Sequence, residues 1–319
     1  MLRYQSNELI RIVWQSKRIN FISIQNSQTI SAEGYTASPL RTGYERVMAH
    51  RVDDLYAATA KSDGQVMSID KDHVSVQFKD GTKTAVELGR RYGAAAGSTI
   101  PHLLVSDLKV GQKVKRGDVI AYNTMFFARD TLDPTQVLWK AGVMAKVALM
   151  ESVDTFEDSS AISESLSAKM STKMTKVRSI RLAFNQQIRN LVRVGEAVDI
   201  ESILCTIEDP TAGTSDIFDE ASLDTLRLLS SSTPRAKMTG VVEKIEAIYN
   251  GDPDEMASTL KSLTKIGDAE RASLYQRMGK EKVTGEVEGT YRVDGVALNM
   301  DSVAVQVYIT GDVSMNAGD

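Results

Sequence analysis

Cysteine, histidine and proline are scarce in this chain. A single cysteine, Cys205, among 319 residues excludes a disulfide framework and any multi-cysteine zinc site. Three scattered histidines, His50, His73 and His102, give no basis for a His-rich metal site or a Ser-His-Asp triad. No apolar run reaches the roughly 18 residues of a membrane-spanning helix, so no membrane partner is expected. The segment Met1 to Asn20 interleaves Arg3, Glu8, Arg11, Lys17 and Arg18 with short apolar stretches, which does not suit a secretory leader. Neither G-x-x-x-x-G-K-[ST] nor G-x-G-x-x-G occurs, so the common glycine-rich phosphate loops are absent. Arg90 to Ser98 is rich in small residues but lacks a Walker lysine, and reads as a flexible surface connection.

What is present suits a globular protein. Apolar residues make up 42% and charged residues 25%, enough to bury one large core or two to three small ones. The net charge of −4 comes from 42 acidic and 38 basic residues, and by itself argues against a general nucleic-acid coat. The average conceals an asymmetry. Ser165 to Gly195 holds Lys169, Lys173, Lys176, Arg178, Arg181, Arg189 and Arg193 with no acid, whereas Glu196 to Leu226 holds only acids. The first block is either a phosphate-facing strip or a solvated surface, and charge alone favours the solvated surface.

The pattern of the chain is β-rich with a few helices. Gln65–Asp70 and His73–Phe78 alternate apolar and polar residues ahead of an Asp80-Gly81 turn. Val143–Met150, Val241–Tyr249 and Val303–Ile309 read as further strands. Asp254–Met278 reads as a helix or helical pair that Gly279 ends. Val110-Gly-Gln-Lys-Val-Lys-Arg-Gly-Asp-Val-Ile120 recurs loosely as Val194-Gly-Glu-Ala-Val-Asp-Ile-Glu-Ser-Ile-Leu204. Two V-G-x-x-V units indicate β-barrel or sandwich architecture. A swinging-arm carrier would need a lysine at a Met-Lys-Met hairpin tip, and neither Lys169-Met170 nor Lys237-Met238 has that setting.

The most informative stretch runs from Lys146 through Glu157-Asp158 to Leu166. Paired carboxylates follow an apolar run, and adjacent carboxylates project in different directions, so one can face a metal while the other holds a neighbour. By physics alone the simpler reading is that Glu157-Asp158 caps a helix over Ser159–Lys169. Yet Phe156-Glu-Asp-Ser-Ser-Ala-Ile-Ser-Glu-Ser165 resembles the F-E-D-[SA]-[IL]-x-[IVL]-S-E-[RS] signature of the β subunit of multisubunit RNA polymerase. Other segments are similar to that family in the same order. Lys17 to Gln28 resembles its fork segment, with Arg18 and Gln28 retained but Ile24 and Ser27 in place of its Asn and Arg. Pro39-Leu-Arg-Thr-Gly-Tyr-Glu-Arg46 resembles P-L-x-G-T-G-x-E-R with one residue deleted. Val110–Ile120 resembles its V-x-x-G-D-x-V-x-x-G-D-V-[LI] segment ahead of the FED motif and Val194–Ile207 the second copy after it, Lys237–Lys244 the strand that returns from its flap, and Ala304–Asp319 the opening of its catalytic barrel.

The resemblance implies a fold that is mainly β with some α, comprising part of a double-psi β-barrel plus a flap or wall barrel. It divides the chain into a fork-like segment (1–60), a hybrid-binding and catalytic-barrel segment with the FED motif (61–165), a flap-like or wall-like barrel (166–240), and the return from the flap into the catalytic barrel (241–319). It implies nucleotidyl transfer within a DNA-directed RNA polymerase, with a β′-like subunit, further β fragments, DNA, RNA and nucleoside triphosphates as partners. Glu157 and Asp158 are the expected catalytic pair, with Asp158 reaching a second Mg2+ through water. A first Mg2+ is expected on the partner's aspartates. Arg18 and Gln28 are expected at the nucleotide and RNA. Lys169, Lys173, Lys176, Arg178 and Arg181 are expected to face nucleic acid. The chain would then be a central piece of a longer subunit, inactive alone, and the split suits a large bacteriophage, placing it in host cytoplasm or virion. The alternative is a non-catalytic structural or assembly protein on a degenerate polymerase scaffold.

Overall fold

The computed structural model describes residues 31–95, 98–148, 161–208, 232–279, 281, 284–287 and 291–314. The chain forms two compact units, Met1–Met174 with Asp312–Asp319, and Thr175–Gly311. It is mainly β, built from several largely antiparallel sheets. Among the described residues no helix is long and apolar enough to cross a membrane.

The first unit contains β1 (Tyr35–Ala37), α1 (Tyr44–Val47), β2 (Ala57–Thr59), β3 (Gly64–Ile69), β4 (His73–Phe78), β5 (Lys83–Glu87), β6 (Gly89–Ala95), β7 (Ser98–Val105), β8 (Lys113–Val114), β9 (Val119–Asn123), β10 (Phe127–Arg129), β11 (Val137–Val143) and α2 (Glu164–Met170). One sheet has the order β5-β4-β3-β8 and another β1-β11-β10, while β2, β9, β7 and β6 pair in succession. The alternating stretches thus form the meander expected of them, turning at Gly81 with φ +88°.

Three local expectations are corrected. The small-residue stretch Arg90–Ser98 is not a loose connection: β6 and β7 pair from Gly89↔Leu104 to Ala95↔Ser98. A Cβ at Gly93 would strike the rings and methyls of His102 and Leu55, so the glycine there serves close packing. The strand expected over Val143–Met150 instead spans Val137–Val143, because its partner β1 begins at Tyr35 opposite Val143. Beyond that point Met144 and Val147 lie exposed. The helix expected over Ser159–Lys169 starts at Glu164. Its N-cap is Ser163, whose Oγ accepts from the Leu166 amide at 3.2 Å, so Glu157-Asp158 does not cap it.

The second unit contains most of β12 (Thr172–Ala183), then β13 (Gln187–Arg189), β14 (Ala197–Val198), β15 (Thr206–Glu208), β16 (Gly240–Asn250), α3 (Ser258–Arg277), β17 (Arg292–Val293), β18 (Val296–Ala297) and most of β19 (Ser302–Val313). The sheet order is β14-β16-β19-β12. Asp252 caps a short 3-10 turn over Pro253–Glu255, α3 follows, and Gly279 at φ +66° lies just past its end. Leu260 and Thr264 are the residues α3 buries, and Leu260 joins the core of β12, β16 and β19.

The two V-G-x-x-V segments fold alike, and each belongs to a larger repeated module. In the first, Gly111 donates to the Val66 carbonyl at 2.8 Å and the Val66 amide to Gln112 at 2.9 Å. In the second, Gly195 donates to Val242 at 2.7 Å and Val242 to Glu196 at 2.9 Å. The turns carry the same side-chain clasps. Gln112 Oε1 accepts from the Lys109 amide as Glu196 Oε2 does from Arg193, and Asp118 Oδ2 accepts from Lys115 as Ser202 Oγ does from Asp199.

The pairing strands match as well. Gly64↔Val114 and Gln65↔Lys113 correspond to Gly240↔Val198 and Val241↔Ala197. β3 and β16 carry the same bulge, after Val66 and after Val242, against β4 and β19. Buried positions coincide: Ala60 and Ala236, Val66 and Val242, Val76 and Ile309, Ile120 and Leu204, Ala121 and Cys205. A Cβ on Gly64 would collide with the Gln77 carbonyl, and one on Gly240 with the equivalent Thr310 carbonyl. The correspondence exposes a second sequence repeat, Ala60-Lys-Ser-Asp-Gly-Gln-Val66 with Ala236-Lys-Met-Thr-Gly-Val-Val242. Chain order differs between the copies. The V-G-x-x-V segment comes last in the first module and first in the second, which is a circular permutation.

Candidate nucleic-acid interface

Glu157, Asp158, Arg18 and Gln28 lie outside the described residues. Among the described residues no group of three His, Cys, Asp or Glu side chains is placed to hold a metal ion. The structure therefore bears on the expected site through its basic residues and through the Pro39–Arg46 segment.

The Pro39–Arg46 segment is tied to a buried carboxylate. Gly43, at φ +91°, precedes α1, and Glu45 turns back on the loop to accept from the Thr42 and Gly43 amides at 3.1–3.2 Å. Its own backbone amide, with those of Gly43 and Thr42, outweighs burial and holds the Glu45 carboxyl below its ordinary value. Arg41 and Arg46 both bind Asp130, which is inaccessible to solvent. Arg41 Nη1 lies 3.0 Å from Oδ1, Arg46 Nε 2.9 Å from Oδ2, and the Leu132 amide donates to Oδ1 at 2.8 Å. Burial alone would raise the Asp130 pKa, but the Leu132 amide and the two guanidinium groups overcome it and hold it at about 2. The Glu and Arg of this motif thus do structural work: they anchor the loop ahead of α1 to the connection between β10 and β11.

Of the five basic residues expected to face nucleic acid, Lys169 lies in the last turn of α2 and is exposed. Lys173 is ion-paired with Asp312 at 2.5 Å, with Glu33 at 4.0 Å. Lys176, Arg178 and Arg181 lie on β12, where alternation sets Lys176 and Arg178 on one side and Arg181 on the other. Arg181 donates to the Val293 carbonyl. Lys176 Nζ reaches the Lys237 carbonyl at 3.4 Å and Arg178 Nε the Arg235 carbonyl at 3.3 Å. The structure therefore separates the strip. Lys173 is held by carboxylates and Arg181 by the Val293 carbonyl, while Lys176 and Arg178 lie against the backbone of a segment that carries two further cations, Arg235 and Lys237. Charge-block reasoning missed those two because they lie across the acidic stretch. The signal that finds them is the Ala60–Val66 repeat at Ala236–Val242.

Other polar groups of the second unit form a closed structural network. Arg271 joins Glu246 at 2.7 Å and Asp268 at 3.2 Å, Tyr249 donates to Asp268 at 2.7 Å, and Lys244 pairs with Glu246 at 2.9 Å. Burial, followed by Asp268, pushes the Tyr249 hydroxyl well above its ordinary value. Burial likewise raises the Cys205 thiol to about 11, which keeps it protonated and unreactive at neutral pH.

The chain matches no protein-family model and no curated protein sequence.

Proposed function

We propose that the chain is a central fragment of the β-like subunit of a multisubunit RNA polymerase, contributing to nucleotidyl transfer together with a β′-like subunit. The observation that carries this reading is the collinear order of the matching segments around Phe156-Glu157-Asp158. The paired modules support it, since residues 57–123 and 193–311 flank that motif in sequence, each with one V-G-x-x-V segment, as the family's two copies do. On this reading residues 61–165 carry the hybrid-binding and catalytic-barrel segment, 166–240 the flap-like or wall-like barrel, and 241–319 the return from the flap into the catalytic barrel.

Glu157 and Asp158 offer hard carboxylate oxygens, which suit Mg2+, an ion that keeps several of its waters. Asp158 would hold the second ion through water, and Glu157 would position neighbouring groups. When bound, the ion neutralises charge on the triphosphate and its leaving group. Arg18 presents a planar fork of donors to triphosphate oxygens, and Gln28 hydrogen-bonds RNA or nucleotide near the 3′ end.

The test is reconstitution with the β′-like partner and remaining β-like fragments, followed by extension of a primed RNA–DNA scaffold. Glu157→Ala with Asp158→Ala is expected to slow extension about a hundredfold or more, the usual scale for losing electrostatic transition-state support, with assembly unchanged. Full-rate extension by the double variant overturns the site.

A further inference from the structure

We infer that Lys176, Arg178, Arg235 and Lys237 form one phosphate-binding patch that holds the backbone of a nucleic-acid strand. The inference rests on the polymerase reading for its choice of nucleic acid over other polyanions, and extends it to two residues outside the basic block. Arg178 and Lys176 lie along the backbone of residues 235–237 through the two contacts to its carbonyls. Two cations of β12 thereby lie along a backbone segment, about sixty residues further along the chain, that carries two more.

Among the described residues few carboxylates answer them. Several cations elsewhere have carboxylate partners: Lys79 with Asp63, Arg189 with Glu208, Lys244 and Arg271 with Glu246. In the patch, among the described residues, Arg235 alone has one, Glu201. Among the described residues, Lys176 and Arg178 have carbonyl contacts only, and the Lys237 ammonium has no hydrogen bond or ion pair. Gathered like charges repel, and an approaching phosphate relieves that repulsion. The Arg178 contact uses only Nε and leaves the terminal nitrogens to face a phosphate.

The first module shows what the same frame looks like without this feature. Positions equivalent to Arg235, Lys237 and Thr239 are Thr59, Lys61 and Asp63. There Asp63 pairs with Lys79 at 2.7 Å and accepts from the Arg116 amide at 3.1 Å. One copy carries an internally neutralised corner. The other replaces the acid with threonine and adds an arginine. Lys237 also sits at φ 57°, a conformation unusual for a lysine.

The test uses the full chain and fluorescence anisotropy of a labelled 20-nucleotide RNA across a salt series. The variant carries Lys176→Gln, Arg178→Gln and Lys237→Asn, the asparagine tolerating the left-handed backbone, and Lys113→Gln serves as a control from the first unit. The triple variant is expected to bind at least about tenfold more weakly and to lose about 2 from the log–log salt slope, at roughly 0.7 per phosphate contact on a single strand. The control is expected to match wild type, and all three proteins to melt alike. Unchanged affinity and slope in a folded triple variant overturn the patch. So does equal displacement of the RNA by poly-glutamate, which would mark a generic polyanion surface. Scaffold extension by the reconstituted enzyme is measured separately, so the patch can fail while the polymerase reading stands, and the reverse.

Discussion

The two β modules share a core and differ in how the chain travels through it. In the first, β3 passes to β4 through the short turn at residues 70–72. In the second, the equivalent strands β16 and β19 are separated by residues 251–301, which include α3. Register, bulge, clasped turns and buried positions nonetheless agree. What specifies the module is the set of local pairings: a glycine where the partner carbonyl comes close, a buried valine after it, and a polar acceptor closing each turn. Chain order is not part of that set. The copies also diverge at one surface corner, where the first carries Asp63, paired with Lys79, and the second carries Thr239 and Arg235.

The largest expected effect tests whether the first unit depends on an anchor outside its module. Arg41→Ala with Arg46→Ala leaves Asp130 buried and uncompensated, at a cost of about 3–5 kcal/mol, read by denaturant unfolding. Next, Ile120→Ala and Leu204→Ala remove equivalent core side chains. Each should cost about 2–5 kcal/mol, and costs differing by more than about 2 kcal/mol would break the equivalence.

A smaller effect belongs to the first unit alone. His102 is buried beside Tyr56 and Phe126 and hydrogen-bonded to Asn123 at 2.7 Å. Burial, then the nearby Arg91 charge, lowers its pKa to about 4. The unfolded chain therefore binds the extra proton first. The stability this histidine contributes is fully present above pH about 6.5 and is lost as pH falls toward 4, by about 2–3 kcal/mol. His102→Gln should flatten that window in unfolding measured against pH. The smallest effect probes a turn whose backbone conformation differs between the copies. Gly117 sits at φ +92° and its counterpart is Glu201, which does not share that conformation. Gly117→Ala should cost about 1–2 kcal/mol, and Glu201→Gly less than about 1 kcal/mol.

Much of the β framework was legible in the sequence. β3, β4, β16 and β19 show the expected alternation or β-branched runs, and the V-G-x-x-V pair announces its turns. The full module was not legible, for a specific reason. One part of the repeat is offset by 84 residues, as Gly111 to Gly195, and the other by 176, as Gly64 to Gly240, so no single period exists to find. The β6–β7 hairpin was hidden because Gly93 looks like a flexible residue until His102 is seen beside it. The start of α2 was obscured by several serines, each a chemically competent cap. Charge reading grouped Lys173, Lys176, Arg178 and Arg181 together, and could not separate them because the partner of each comes from a distant segment.

The permuted order carries a consequence for how such a chain can be cut and extended. Strand-to-strand contact is the invariant of the module, and covalent continuity is what varies. The joint that is a short turn at residues 70–72 in one copy accommodates a 20-residue helix and a hairpin in the other. New ends or inserted domains at Lys71 would leave every ladder and clasp of the first module in place. The second module already carries such an insertion at the equivalent joint.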